Sequence, residues 1–434
     1  MNQKGRGSPV RAFTRPKMAA LIFLGFASGL PFNLIGNGKA FQAWMTASGV
    51  DLTAIGLFSL IGLPYSLKFL WAPFLDRYIP PILGRRRGWL LITQVLLLVA
   101  IAAMSLHDPT TGLRALAFNA ILIAVFSASQ DIAGDAYRTD VLEDRELGAG
   151  AAIWVLGYRV ALLLTGSLAF ILAEKMSWGT VYLLMSTLMV VGIIATFLAP
   201  EPKLKDAPPR SIGEAVALPF KDFFQRVGPG LGIGVLIFIV LYKYSDALAG
   251  SMTTPFLLMT GFTQAEVGVI FGGAGLLATI AGSLVAGGTI ARIGLNRSLW
   301  AFAVFQALSN LTYYGLALAG RNHTFMVTAI VIENFGVGLV SSALVAYIMS
   351  MCNRRFSATQ FALLSSLVAA SRDILVAPGG KIAESLGWPT FFLITVAAGL
   401  PCIALLPFIA PWNGDFPTGA VHRTETVDAE SVTG

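Results

Sequence analysis

The stretch LAFNAILIAVFSASQDIAGDAYRTDV, Leu116 to Val141, starts as an apolar run and then, with no proline to end it, reaches Gln130, Asp131 and Asp135. About 20 apolar residues cross a bilayer as a helix, so the segment reads as a membrane span with acids inside it. A carboxylate in that setting is costly, and it normally faces a bundle interior or a water-filled cavity on a route for ions or substrate. Asp131 and Asp135 stand four apart and share a helical face, which Ser127 extends by another turn. Two anions so close repel, and repulsion and poor solvation both favour the neutral acid, which makes the pair a candidate for proton coupling. The competing reading places Asp135 at the cytoplasmic end of the helix, in a solvated ion pair with Arg138.

Composition extends this reading to the whole chain. Of 434 residues 56% are hydrophobic and 12% charged, far below the roughly 25% charged of a soluble domain. The net charge of +7 comes from Lys and Arg in loops between apolar spans, so the lipid bilayer is the partner and nucleic acid is not. No glycine-rich loop ends in Gly-Lys-Ser or Gly-Lys-Thr, so nothing points to ATP-driven transport. Cys352 and Cys402, with His107, His323 and His422, are too few and too scattered for a disulfide framework or a metal cage. No cofactor or metal is expected, and a proton gradient is the driving force that fits the buried acids. The basic start, Lys4 to Lys17, runs into an apolar stretch without a small-residue cleavage site, which reads as a retained first helix.

Twelve spans are expected, near 18–38, 52–75, 89–107, 115–137, 149–173, 178–199, 230–258, 265–290, 298–319, 325–351, 359–384 and 388–410. The loops rich in Lys and Arg then fall on one side, which makes both termini cytoplasmic. The organisation that follows is a cytoplasmic segment 1–17, a six-helix bundle 18–199, a linker 200–229, a second six-helix bundle 230–411 and a disordered polar tail 412–434. In the linker Ile212, Ala215, Val216, Phe220, Phe223 and Phe224 line one side of a short helix expected to lie on the cytoplasmic surface. The two halves resemble each other at an offset of roughly 210 residues, the internal symmetry of a transporter built from repeats. WGTVYLL at Trp178 echoes WPTFFLI at Trp388, Gly-Tyr-Arg159 answers Ala-Ser-Arg372, and LTAIG at Leu52 faces FTQAEVG at Phe262. The fold class is therefore an all-α membrane protein of twelve transmembrane helices in two pseudo-symmetric bundles.

Polar residues inside the spans come from both halves: Lys68, Gln130, Asp131, Asp135, Arg159, Lys243, Asp246, Glu333, Asn334, Arg372 and Asp373. Lys243 and Asp246, three apart, can pair along one face, either as structural glue or as a working site. Arg159 lies mid-span with no acid within a turn, so its partner is Asp131, Asp135 or an anionic group of the substrate, to which a guanidinium offers a bidentate fit. Glu333 and Asn334 occupy roughly the place in the tenth span that Gln130 and Asp131 hold in the fourth, which makes Glu333 the third proton-coupling candidate. In the first span Gly29-Leu30-Pro31 frees backbone groups that can line a cavity. Beyond it Asn33, Asn37, Lys39, Gln42 and Trp44, with Tyr158 further on, offer donors and flat rings of the kind that hold sugars, or else plain packing.

The loop LDRYIPPILGRRRGW resembles the Gly-x-x-x-Asp-Arg-x-Gly-Arg-Arg signature of the major facilitator superfamily, with Asp76 and Arg77 as its central pair and Gly84 with Arg85, Arg86 and Arg87 as its basic end. The chain departs from it by an insertion and by Trp71 at the leading glycine, and RIGLNR at Arg292 is a weaker second copy. The resemblance implies the major facilitator fold and a conformational latch that does not touch substrate. A narrower resemblance follows from LGFASGLP at Leu24, FQAWM at Phe41, FLWAP at Phe69, GRRRGWLL at Gly84, SASQDIAGDAY at Ser127, LGYR at Leu156 and FSATQFALLS at Phe356. Together they are similar to the AmpG family of anhydromuropeptide permeases of Gram-negative bacteria.

That resemblance implies import of N-acetylglucosaminyl-1,6-anhydro-N-acetylmuramyl peptides from periplasm to cytoplasm across the inner membrane, driven by protons, with Gly29, Gln130, Asp131, Asp135, Lys243, Asp246 and Arg372 among the working residues. A disaccharide wants amides and aromatic faces, and the peptide carboxylates want Arg159, Lys68 or Lys243. A monomer is expected, and not an enzyme. The alternatives are transport of another large polar solute, such as a drug, sugar or coenzyme A ester, and a polytopic enzyme on lipid-linked precursors. The enzyme would need acids or His arranged at a membrane surface for metal and phosphate, and the acids here lie within spans or beside basic loops. A membrane sensor, the remaining class, would have no use for a twofold repeat built for alternating access.

Overall fold

The stretch that opened the sequence reading forms a single 29-residue helix, Leu113–Val141. The computed structural model describes residues 16–142, 147–202, 221–352 and 357–413. The segment 1–15, linker residues 203–220 and the tail beyond 413, with the expectations attached to them, lie outside the described residues. In chain order the helices are α1 Pro16–Gly29, α2 Lys39–Ala47, α3 Leu52–Leu57, α4 Leu63–Leu67, α5 Ala72–Arg77, α6 Gly84–Met104 and α7 Leu113–Val141. Then come α8 Leu147–Leu163, α9 Ala169–Ala173, α10 Trp178–Thr187, α11 Met189–Leu198, α12 Pro229–Tyr242, α13 Tyr244–Met259 and α14 Gln264–Ile270. The last are α15 Leu276–Ile293, α16 Leu295–Ala319, α17 His323–Met351, α18 Ser357–Ala370, α19 Gly379–Ala397 and α20 Leu400–Ile409.

Among the described residues nine helical stretches are long and apolar enough to cross a membrane, and Leu52–Leu67 is a shorter apolar one. Several are broken, for reasons the sequence contains. The first crossing runs over Lys17–Ala47, past the expected end at residue 38, because it is made of two helices. Pro31 has no N–H and disfavours helix in the residue before it, so α1 stops at Gly29. A 3-10 turn at Phe32–Leu34 and the left-handed Gly36 (φ 56°) then carry the chain into α2. The second expected span, 52–75, is instead α3, α4 and α5 joined by 3-10 turns, with Pro64 and Pro73 each in the first turn of a piece.

Contacts divide the described chain into two compact units, one within Met1–Pro208 and Leu257–Gly272, the other within Pro209–Phe256 and Gly273–Gly434. In the first, α1 and α8 meet backbone to backbone. Gly25 and Gly29, one turn apart, face the Trp154 and Tyr158 carbonyls, and Gly157 faces that of Ile22. A Cβ on Gly29 would stand 2.7 Å from the Tyr158 oxygen, so only glycine permits this approach, as in small-residue packing of membrane helices. Around this contact Met18, Leu21, Leu24, Leu90, Tyr137 and Trp154 form an apolar core.

The second unit repeats the device, with Gly282 of α15 against the Phe335 carbonyl and Gly338 of α17 against that of Thr279. Its core gathers Phe238, Tyr242, Leu299, Tyr347 and Leu406, together with Phe223. Phe223 corrects an expectation. The short helix over 221–227 buries that ring inside the protein, at 3% exposure, where the sequence pattern had placed it on the membrane surface. Arg226 explains the docking: its guanidinium donates to the Met351 carbonyl at the end of α17 (3.1 Å) and pairs with Asp222 (3.0 Å).

Helix α17 has the 29-residue length of α7, each bound displaced by about 210 positions. Wider π-helical turns interrupt the fifth expected span at Leu164–Leu168 and the eleventh at Ser371–Leu375. Large apolar side chains such as Phe118, Leu284 and Phe408 face outward, as they do where lipid is the solvent.

Candidate functional site

In the first unit Asp131 projects from the middle of α7 toward α1, where Ser28 Oγ donates to its Oδ1 at 2.5 Å. Neither the pattern nor the resemblance singled out Ser28; the signal available was a hydroxyl one residue before the Gly-Leu-Pro break. One turn along, Asp135 is paired with Arg138 at 3.1 Å, lies 3.9 Å from Lys68 Nζ, and keeps 54% of its side chain exposed. That is the solvated pair of the second reading, and it separates the two aspartates into an interior and an exterior member. Arg138 also lies over the Trp154 ring at 5.4 Å. Gln130 and Ser127 are each 1% exposed, and among the described residues their side-chain polar atoms have no hydrogen-bond partner. Buried polar groups are rarely left so, and such orphans need water or a ligand.

Around the first break, Asn33 ties the chain to the fifth expected span. Asn33 donates to the Leu162 carbonyl (3.0 Å) and to Thr165 Oγ1 (3.3 Å). Lys39 Nζ sits 3.1 Å over the Phe271 ring. Gln42 is wholly buried, and Trp44, at 4.7 Å from the Tyr182 ring, is buried too, so both side chains lie within the helix bundle. Asn37 is half-buried, and Tyr158 lies 6.4 Å from the Phe32 ring.

Arg159 is exposed and forms no ion pair among the described residues, since Asp131 and Asp135 are engaged elsewhere. Neither acid expected as its partner from the sequence meets it, and among the described residues the guanidinium has no counter-ion. It continues the line Leu163, Ser167, Phe170 at helical spacing. Above it on that line, Gly272 packs on Leu163 and Ser167, and Gly268 packs on Ser167 and Phe170. Arg159 begins where that close packing stops.

In the second unit the seventh expected span is discontinuous. Helix α12 ends at Tyr242, Lys243 caps it, and Asp246 lies in the first turn of α13. A cation at a helix C-terminus and an anion at a helix N-terminus both suit the helix dipoles. Lys243 Nζ donates to Asp246 and to Ser341 Oγ (3.2 Å), and Gln306 Nε2 donates to Asp246 Oδ1 (3.3 Å). On α17, Glu333 is buried and accepts from Asn334 Nδ2 (2.8 Å), while Thr279 donates to Asn334 Oδ1 (3.4 Å). Arg372, in its π-helical turn, grips the adjacent Asp373 with two bonds of 2.9 and 3.3 Å.

The latch residues separate. Arg86 Nε donates to Asp140 (2.7 Å), and Arg87 to the Thr196 (2.9 Å) and Phe197 (2.7 Å) carbonyls. Glu201 accepts from the Arg86 and Arg87 backbone N–H groups at 3.1 and 3.2 Å. Arg85 buries its Nε without a partner among the described residues, Arg77 and Arg292 are exposed, and the Asp76 side chain lies outside the described residues. Among the described residues no cluster of His, Cys, Asp or Glu is arranged to hold a metal.

Broken apolar helices, with charged side chains at the breaks and inside the crossings, define a multi-pass membrane transporter. The family model described as the Major Facilitator Superfamily matches residues 20–374. The solved structure of a D-xylose–proton symporter shares the fold, with a TM-score of 0.70 at 10% identity, over 92% of this chain and 99% of that one. Among curated proteins, the anhydromuropeptide permease of Escherichia coli (strain K12) is 49% identical over 399 residues, 92% of this chain and 80% of its own. The putative transporter AmpG 4 of Rickettsia conorii is 32% identical, over 92% of this chain and 98% of its own. The chain belongs to the AmpG family of anhydromuropeptide permeases within the major facilitator superfamily, transporters of the bacterial inner membrane.

Proposed function

We propose that this protein imports anhydromuropeptides from periplasm to cytoplasm by proton-coupled alternating access, through twelve membrane helices with both termini cytoplasmic. The name of the 49% identical relative supports the substrate class. The observation that carries the coupling is the place of Asp131, inside a membrane helix and tied by Ser28 to the broken first crossing. A carboxyl there takes a proton on one side and yields it on the other. Arg159, a cation without an ion-pair partner among the described residues, receives a carboxylate of the peptide. Gln130 and Ser127, buried with unused polar atoms, complete their bonding with water or with the sugar hydroxyls when the transporter is loaded.

The test is uptake of labelled anhydromuropeptide into vesicles with and without a pH gradient, for the wild type and for Asp131→Asn, Asp135→Asn and Glu333→Gln. Asp131→Asn is expected to abolish gradient-driven accumulation, and Asp135→Asn, whose site is solvated, to retain most of it. Equal accumulation by all three variants removes carboxylate coupling, and absence of uptake by the wild type removes the substrate.

A further inference from the structure

We infer that Ser28 is a positioning residue that reads the protonation state of Asp131 and passes it to the break in the first crossing. The inference rests on the proton-coupling reading above and deepens it. Ser28 is 103 positions from Asp131 in sequence and 5% exposed. It is the residue before the end of α1 at Gly29, so its hydrogen bond is made at the hinge itself. On both sides of the hinge the chain is clamped to the fifth expected span. Gly29 is pressed on the Tyr158 carbonyl and the Ala161 methyl, and Asn33 is bonded to the Leu162 carbonyl and Thr165. Against this fixed backing, the Ser28 bond is a polar tie to α7.

That tie depends on charge. With Asp131 ionised, the serine O–H donates to a carboxylate, a bond roughly twice as strong as one between neutral groups. When Asp131 Oδ1 takes a proton from the aqueous side, the carboxyl has become a donor at that oxygen. Ser28 must then turn its own proton away and accept, or release Asp131 and bond back to the carbonyl four residues earlier, as serines in membrane helices do. Either way the charge-assisted link between α1 and α7 is lost beside the point where the helical hydrogen bonding of α1 ends. The charges within reach of Asp131 are Lys68 from the second crossing and Asp135 and Arg138 on α7. They set the background against which the serine acts, and they are left intact by a change at Ser28.

The experiment measures proton-driven uptake in vesicles as a function of pH for the wild type, Ser28→Ala, Ser28→Thr and Asp131→Asn, with Ser28→Ala also placed in the Asp131→Asn background. Ser28→Ala removes a donor to the carboxylate, so the pH at half-maximal uptake is expected to move up by about one unit. Ser28→Thr keeps the hydroxyl and is expected to restore the wild-type profile. In the Asp131→Asn background Ser28→Ala is expected to change substrate counterflow no further, because there is no charge left to read. An unshifted profile for Ser28→Ala, with Asp131→Asn uncoupled, overturns the role of Ser28 alone. An Asp131→Asn protein that still accumulates substrate along the gradient overturns Asp131 as the coupling site, and this inference with it. If Ser28→Ala is not recovered from the membrane, Ser28→Cys, similar in size and a weaker donor, takes its place, with an expected shift in the same direction and an unshifted profile as the refutation.

Discussion

Removing one member of the Lys243–Asp246 pair should damage the second unit far more than removing both. The two side chains retain only 15% and 10% exposure, and each has a second partner, Ser341 for the lysine and Gln306 for the aspartate. Lys243→Met leaves a buried carboxylate held by one amide, and Asp246→Asn leaves a buried ammonium with no counter-charge, facing only an amide oxygen and one hydroxyl. Breaking such a pair costs about 3–5 kcal/mol, while replacing both members by groups of similar volume is often close to neutral. The double variant also forfeits the favourable ends of α12 and α13, about 0.3–1 kcal/mol each. For a unit of this size about 1 kcal/mol moves the melting temperature by roughly 2–4 °C. The single variants should therefore melt about 10 °C below the wild type in detergent, and the double variant within a few degrees of it. Thermal unfolding followed by the loss of monodisperse protein reads all four corners of the cycle. If the double variant falls by the sum of the singles, the charges do not depend on each other and the argument from burial is wrong. The same double variant, being folded, then reports by vesicle uptake whether the pair works or merely holds α12 to α13.

Two further outcomes follow from contacts at helix ends. Glu201→Ala uncaps α6, a loss of about 1–2 kcal/mol, so the amides of Arg86 and Arg87 should exchange with solvent roughly tenfold faster by hydrogen exchange; unchanged exchange would show that the carboxylate does not hold them. Burial pushes the Cys352 thiol up from its usual range, and the Arg226 guanidinium pulls it back only in part. The thiolate is then scarce at neutral pH, and maleimide labelling in a Cys402→Ser background should be slow and rise steeply with pH. Arg226→Ala, by removing the opposing cation, should slow it further; a rate that is flat with pH would contradict this.

The sequence disclosed the crossings because apolar length is a strong signal, and it disclosed the charged residues because they are rare inside such segments. Asp131, Lys243, Asp246 and Glu333 were visible on that ground alone. The breaks were half visible. Pro31 announced the end of α1, yet the continuation through Gly36 into α2 depends on a left-handed glycine that looks like any other in a chain with 45 of them. The turn at Gly387 (φ 76°) before Trp388 was visible only as a boundary. Ser28 offered only a hydroxyl one residue before the Gly-Leu-Pro break, and its meaning comes from a residue 103 positions away. Phe223 was misread because an amphipathic segment looks the same whether its apolar side meets lipid or protein.

The repeat bears on which cation meets the substrate. The two halves place Gly-Tyr-Arg159 and Ala-Ser-Arg372 at corresponding points, each near a π-helical turn of the kind that recurs at functional sites. After the arginine the copies diverge: Asp373 follows Arg372, and Val160 follows Arg159. Arg372 therefore carries its own counter-ion, bound through two nitrogens to a carboxylate that is itself buried. Arg159 has the same guanidinium without that neighbour and is exposed. An open cation on a membrane helix is expensive unless water or a passing anion completes it. A bidentate carboxylate is what a guanidinium fits best, and in the second half the chain supplies one. On the proposed reading, in which a carboxylate of the peptide is bound, Arg159 is a better anchor than its paired counterpart, because the acid that follows Arg372 has no equivalent after Arg159.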